Sequence, residues 1–136
     1  MNVTVTQVVG RVPVTVMQIQ GAVDGSNYEQ LVATGLDIAS GGAHNLVLDL
    51  GGVTFMSSAG LVALHSITQM ARGLPPPDPE AGWEAYRTVS RDQSGGKQSN
   101  VKLLNLQPRV MKLLDTAGFS RYYDIYTDQA TAVASF

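Results

Sequence analysis

An α/β fold with a mixed, largely parallel sheet is the architecture this sequence predicts, and three observations predict it. The first 20 residues alternate β-branched and polar side chains, with a break at Gly10-Arg11. Beyond Gly21 the apolar period lengthens to the helical value, and strand-like and helix-like segments then take turns along the chain. Leu46-Val47-Leu48 is a short continuous apolar run, the signature of a strand covered on both faces.

The elements follow in order. Val3, Val5 and Val9 set against Thr4 and Thr6, then Val12, Val14 and Val16 leading to Ile19, give an N-terminal antiparallel hairpin. Pro13 near the start of the second strand implies an unpaired backbone position there. Asp24, Ser26 and Asn27 are helix-starting residues, and Tyr28, Leu31, Val32, Leu36 and Ala39 recur at helical spacing. Gly35 lies on the same stripe, where a missing side chain permits close packing, and Gly41-Gly42 ends the helix. The strand at 46–48 leads through a turn to Ser57-Ser58. A second helix follows, its wide apolar face built from Leu61, Val62, Leu64, Ile67, Met70 and Ala71 and stopped by Gly73.

Residues 74 to about 100 are rich in breakers and polar groups, and read as an insertion in a single domain spanning 1–136. Asp78-Pro79-Glu80 would open one short helix there, through Trp83 and Tyr86, two aromatic residues expected to tuck onto the domain. The pattern resumes with a strand at 101–104. Pro108 opens a third helix, with Val110, Leu113, Leu114 and Ala117 as its stripe and Gly118 as its stop. Tyr122, Tyr123, Ile125 and Tyr126 give a last strand, and Asp128 caps a short helix through Ala130 and Val133. The sum is β-β-α-β-α-β-α-β-α with four helices and right-handed crossovers.

Composition narrows the function. With 136 residues, 44% hydrophobic and 15% charged, the chain can bury a proper core. A net charge of −2 gives no electrostatic argument for a nucleic-acid partner or an anionic membrane. The absence of cysteine rules out thiol catalysis and fits a cytoplasmic protein. No basic leader and no apolar run of membrane-spanning length are present, so direct membrane insertion is not expected.

Enzyme chemistry finds little to work with. His44 and His65, the two imidazoles, are not spaced as a metal pair, and no acidic cluster accompanies them. His65, in mid-helix, reads as a surface or half-buried side chain. Gly95-Gly96-Lys97 lacks the rest of a phosphate loop. Neither Ser57 nor Ser58 has the glycine two residues earlier that a nucleophile elbow requires. A phospho-aspartate receiver needs acids at the end of its first strand, and residues 9–20 contain none. No enzyme, catalytic residue, metal or cofactor is expected. The serine pair is different, because a hydroxyl at a strand–helix junction meets free backbone N–H groups and the positive end of the helix dipole. Its plain role is a helix N-cap worth about 1 kcal/mol.

Asp49, Leu50, Val53, Phe55, Met56, Ser58, Gly60 and Leu61 form a D-L-x-x-V-x-F-M-x-S-x-G-L pattern that resembles the STAS domains, whose best-known members are bacterial anti-sigma factor antagonists. Residues 21–31 resemble the start of that family's first helix, and residues 103–118 its fourth strand and third helix. The resemblance implies a STAS fold and a regulator that binds an anti-sigma factor with a kinase fold. Phosphorylation at the position of Ser58 (Ser57 being the alternative) would switch that regulator off, and a serine phosphatase would restore it. It also implies a partner surface comprising Asp24, Gly25, Ser26, Met56, Ser57, Ser58, Ala59, Gly60, Asn105 and Gln107. For Asp24 to Ser26, and for Asn105 and Gln107, the plain reading is capping of the helix that follows.

Three departures stand out. Ser57 replaces the aspartate usual in the phosphorylatable branch, Gly51-Gly52 loosens the turn, and the insertion after Gly73 is long. An alternative from another class is a non-phosphorylated STAS adaptor of a transporter or signalling scaffold; a third is a ligand-sensing STAS domain. The chain's start and finish favour a standalone protein over a transporter fragment.

Overall fold

The computed structural model describes residues 1–73 and 98–136. The alternation seen in the sequence becomes one sheet of five strands in the order β1-β2-β3-β4-β5. They are β1 (Asn2–Val9), β2 (Pro13–Gln20), β3 (Leu46–Gly52), β4 (Gln98–Leu104) and β5 (Tyr123–Tyr126). β1 and β2 pair antiparallel, and every later pair is parallel. The described helices are α1 (Tyr28–Ser40), α2 (Ser58–Ala71), α3 (Pro108–Ala117) and α4 (Gln129–Ala134), with a 3-10 turn at Ser120–Tyr122. The predicted α/β fold with a mixed sheet is therefore the observed one, with four helices among the described residues.

The two faces of the sheet carry separate cores. Leu46, Leu48, Leu50, Val101 and Leu103 point toward α1, α2 and α3, joining Leu31, Leu61, Leu64, Val110 and Leu114 in the larger cluster. Each such side chain contributes roughly 1.5–3 kcal/mol through burial. Val47 and Leu104 point the other way, with Val14 and Val16, beneath Ala132 and Val133 of α4. Lys102 shares this second face; it is buried, binds Asp124 at 3.0 Å, and lies 5.2 Å from the ring centre of Phe136. The hydrogen bond keeps the buried ammonium from being stranded.

Several boundaries differ from the sequence reading. β3 runs on through Gly51 and Gly52 instead of turning there. β4 begins at Gln98 rather than Val101, because polar residues at a strand end read as loop. The rest of the predicted insertion, with its short helix, Trp83 and Tyr86, and Gly95-Gly96-Lys97, lies outside the described residues. Leu36 is 49% exposed, and Ile38 packs against the core in its stead. Gly35 does what its position suggested, since a Cβ there would lie 2.7 Å from Ile67 Cγ1 where α1 crosses α2. His65 is buried rather than superficial, because α2 is enclosed beyond its apolar stripe. The hydroxyls of Ser66 and Thr68 survive burial by donating to the carbonyls of Val62 and Leu64. Thr68 also bonds Tyr123 Oη at 2.9 Å, and burial pushes that phenol up to about 12.

Candidate functional site

The ends of the parallel strands bring three connections to one edge of the sheet. They are the loop after β2, the turn after β3 and the bend after β4. In parallel sheets this edge is the usual place for a site, because the loops there diverge from a fixed frame.

The first two connections are stitched together by backbone. Gly21 N–H donates to Gly52 O at 2.8 Å, Val23 N–H to Phe55 O at 2.9 Å, and Ser57 N–H to Val23 O at 2.9 Å. Val23 and Met56 form a parallel bridge, in effect one further rung beyond the sheet. Gly52 makes this approach possible, because a Cβ on it would sit 2.7 Å from Gln20 Cγ and 3.2 Å from Gln20 Cα. The glycine pair thus tightens the junction, which corrects the expectation of a loosened turn.

Asn27 precedes α1 but makes no side-chain cap bond. Its amide instead accepts from Asp24 N–H at 3.0 Å and donates to Ala22 O at 2.9 Å, fastening the loop from both ends. Asp24 does not cap α1 with its side chain either. Its carboxylate accepts from the Ser26 hydroxyl at 2.5 Å and the Ser26 N–H at 2.9 Å. The Ser26 hydroxyl, then its N–H, holds the Asp24 carboxyl below the usual carboxylate range, so the loop stays anionic at neutral pH.

The serines divide the work. Ser57 is the N-cap of α2, accepting from Ala59 N–H at 3.2 Å, while Ser58 is the first helical residue and is exposed. Phe55 beside them is 44% exposed, an apolar side chain left on the ridge. Met56 and Gly60, expected at the partner surface, are buried instead and seat the turn from below. Ala59 is partly exposed, and Gly25 and Ser26 are exposed.

The third connection closes the edge. Gln107 stands at the N-cap of α3 without a side-chain cap bond, and its Nε2 donates across to Gly51 O at 2.7 Å. Asp49 accepts from Gly51 N–H at 3.0 Å. Asn105 is exposed and holds φ +58, while its N–H donates to Tyr126 O at 2.9 Å. A left-handed conformation costs non-glycine residues roughly 1–2 kcal/mol, with asparagine among the most tolerant. Asn105→Val should therefore lower stability by about 1–2 kcal/mol in urea denaturation, and Asn105→Gly by less than about 0.5 kcal/mol. Equal stability of the two variants would remove the strain argument.

Every residue expected at the partner surface thus falls at this edge, some on it and some beneath. Sequence reasoning missed Asn27 as a loop fastener and Phe55 as a surface group. The first looks like any helix starter, and the second sits in an apolar run that reads as core. Among the described residues no three His, Asp or Glu side chains gather as a metal site, and no helix is long and apolar enough to cross a membrane.

Comparison with known proteins agrees with this architecture. Residues 4–73 match the model of the STAS domain. The chain is 25% identical over 118 residues to BtrV of Bordetella bronchiseptica, a candidate anti-sigma factor antagonist, covering 87% of this chain and 82% of that protein. An anti-sigma factor antagonist from Mycobacterium paratuberculosis superposes with TM-score 0.65 at 17% identity, covering 98% of this chain and 93% of the other. The phosphorylated form of the Bacillus cell fate determinant SpoIIAA superposes with TM-score 0.54 at 16% identity, covering 96% of each chain.

Proposed function

The chain belongs to the STAS domain family, and on that footing we propose that it is an anti-sigma factor antagonist-like regulator, not an enzyme. It binds a cytoplasmic anti-sigma factor with a kinase fold through the edge carrying Ser58, and phosphorylation of Ser58 ends that binding. A serine phosphatase reverses the modification. The observation that carries this reading is the split between the two serines. Ser57 supplies the cap, which leaves the Ser58 hydroxyl exposed with no structural duty assigned to it.

Physical chemistry supports a switch at that atom. A phosphate adds roughly −1.5 to −2 charges, and at the first residue of α2 the helix dipole favours an anion. The domain itself therefore tolerates the group. A partner packed against a neutral hydroxyl does not, since it would bury an uncompensated charge. Asp24, already ionised on the neighbouring loop, favours a cationic group on the partner. Asp24, Ser26, Asn105 and Gln107 supply the polar groups of the proposed surface, with Gly25 and Ala59 between them, and Phe55 offers an apolar anchor. Structural relatives are consistent with the idea, since SpoIIAA exists in a phosphorylated form.

The test is intact-mass spectrometry after incubation with ATP and each kinase-fold protein of the same organism. Wild type should gain one phosphate and Ser58→Ala none. A phosphate retained by the alanine variant would move the site, with Ser57 the first alternative. No phosphate with any candidate would leave the adaptor reading, which the serine at position 57 in place of aspartate favours.

A further inference from the structure

The sheet has two edges of opposite character. β5 is four residues long and carries Asp124, which binds Lys102. A short edge strand with a charged side chain discourages pairing with another strand. β1 is eight residues long, NVTVTQVV, with no charge, proline or glycine. It runs beside β2 without a bulge, from Asn2 opposite Gln20 to Val9 opposite Pro13. Half of its backbone N–H and C=O groups point away from β2, and among the described residues no backbone hydrogen bond reaches them. Val5 is 43% exposed and Val9 is 84% exposed, two large apolar side chains left open on this one strand.

We propose that the outer edge of β1 is a self-association surface, occupied by β1 of a second copy in antiparallel register. The strand is its own complement. A two-fold axis perpendicular to the sheet keeps each face on its own side, so odd-numbered residues pair with odd ones and even with even. Val3, Val5 and Val9 then meet valines or Gln7, continuing the face on which Val3 packs against the larger core. Thr4 and Thr6 meet threonines or Val8 on the other face. Such β-branched and hydroxyl pairs are favourable cross-strand neighbours, and no like charges are brought together. A charged peptide would find no counter-charge on this strand, and a net charge of −2 repels a second copy only weakly. β2 separates β1 from β3, so the pairing leaves Ser58 accessible on both copies.

Sedimentation equilibrium of the whole protein, from micromolar to near-millimolar concentration, tests this. Wild type should pass from monomer to dimer, and Val5→Lys should weaken the dimer about tenfold or more, because the two-fold axis brings both lysines into one strand pair that holds no counter-charge. Circular dichroism confirms the variant's fold, and Val9→Lys replaces it if that fold is lost. Hydrogen exchange on wild type gives a reading free of variants, with the outward amides of β1 slowing as concentration rises. A wild-type mass that stays monomeric throughout, with β1 exchange unchanged, overturns the proposal. So does a dimer that survives Val5→Lys and is broken by Phe55→Lys.

Discussion

On the proposed function, Ser58→Glu should weaken binding of an anti-sigma factor with a kinase fold about a hundredfold, a loss of roughly 2.7 kcal/mol, without lowering the domain's own stability. Two magnitudes decide the contrast. Within the domain, a carboxylate at the first position of α2 meets the helix dipole, a gain of about 0.3–1 kcal/mol. At a docked surface the same carboxylate loses its water, and an unpaired buried charge costs several kcal/mol. Binding therefore suffers while folding does not. Isothermal titration of the kinase-fold partner against wild type, Ser58→Glu and Ser58→Ala, with thermal melts of each, measures both sides. Ser58→Ala should bind within a few-fold of wild type, because it adds no charge. Undiminished binding by the glutamate variant would place the switch elsewhere. Ser57→Ala is the internal contrast. It removes the α2 cap and should lower stability by about 1 kcal/mol.

Gly60→Ala should destabilise the domain by about 1–3 kcal/mol, although the same change in an open helix would stabilise it by roughly 1 kcal/mol. The sign turns on one contact. A Cβ at Gly60 would overlap Met56 Cγ and lie 3.4 Å from Val23 Cγ1. Met56 cannot simply swing aside, because it is buried and its backbone is bridged to Val23. The strain therefore reaches the two loops that frame Ser58. Urea denaturation of Gly60→Ala, Met56→Ala and the double variant tests the contact, since residues in collision are non-additive. The double variant should be more stable than the sum of single losses predicts. Simple additivity would show that Met56 yields without cost.

The fold was legible because its signals are periodic. Strand 46–48 has apolar residues for both faces, and α3 has Pro108 at its first turn and Gly118 at its left-handed stop. A local pattern of residues decides each of these. The site was legible as a place rather than as a mechanism. Asp24 and Gln107 were expected near Ser58 and do lie at that edge. Their plain role as side-chain helix caps fails, because Asp24 bonds Ser26 and Gln107 reaches Gly51. Sequence spacing says nothing about a bond spanning 56 residues. The same blindness hid Gly52. A glycine pair after a strand reads as flexibility, and only the neighbouring Gln20 shows that it permits contact. Leu36 erred for a different reason, since a helical stripe fixes a period but not the width of the face a neighbour covers.

The stitching of the loop at 22–24 to the turn at 55–57 also bears on thermodynamics. Ordering one residue's backbone costs about 1–2 kcal/mol, and here that cost is met during folding rather than on encounter. On the proposed function, a partner docks on two loops that are already fastened to each other, so association loses little further conformational entropy there. On the same proposal, a phosphate on Ser58 alters the contacts with that partner and leaves the scaffold alone, so it changes the partner's rates of association and departure and not the folding of the domain.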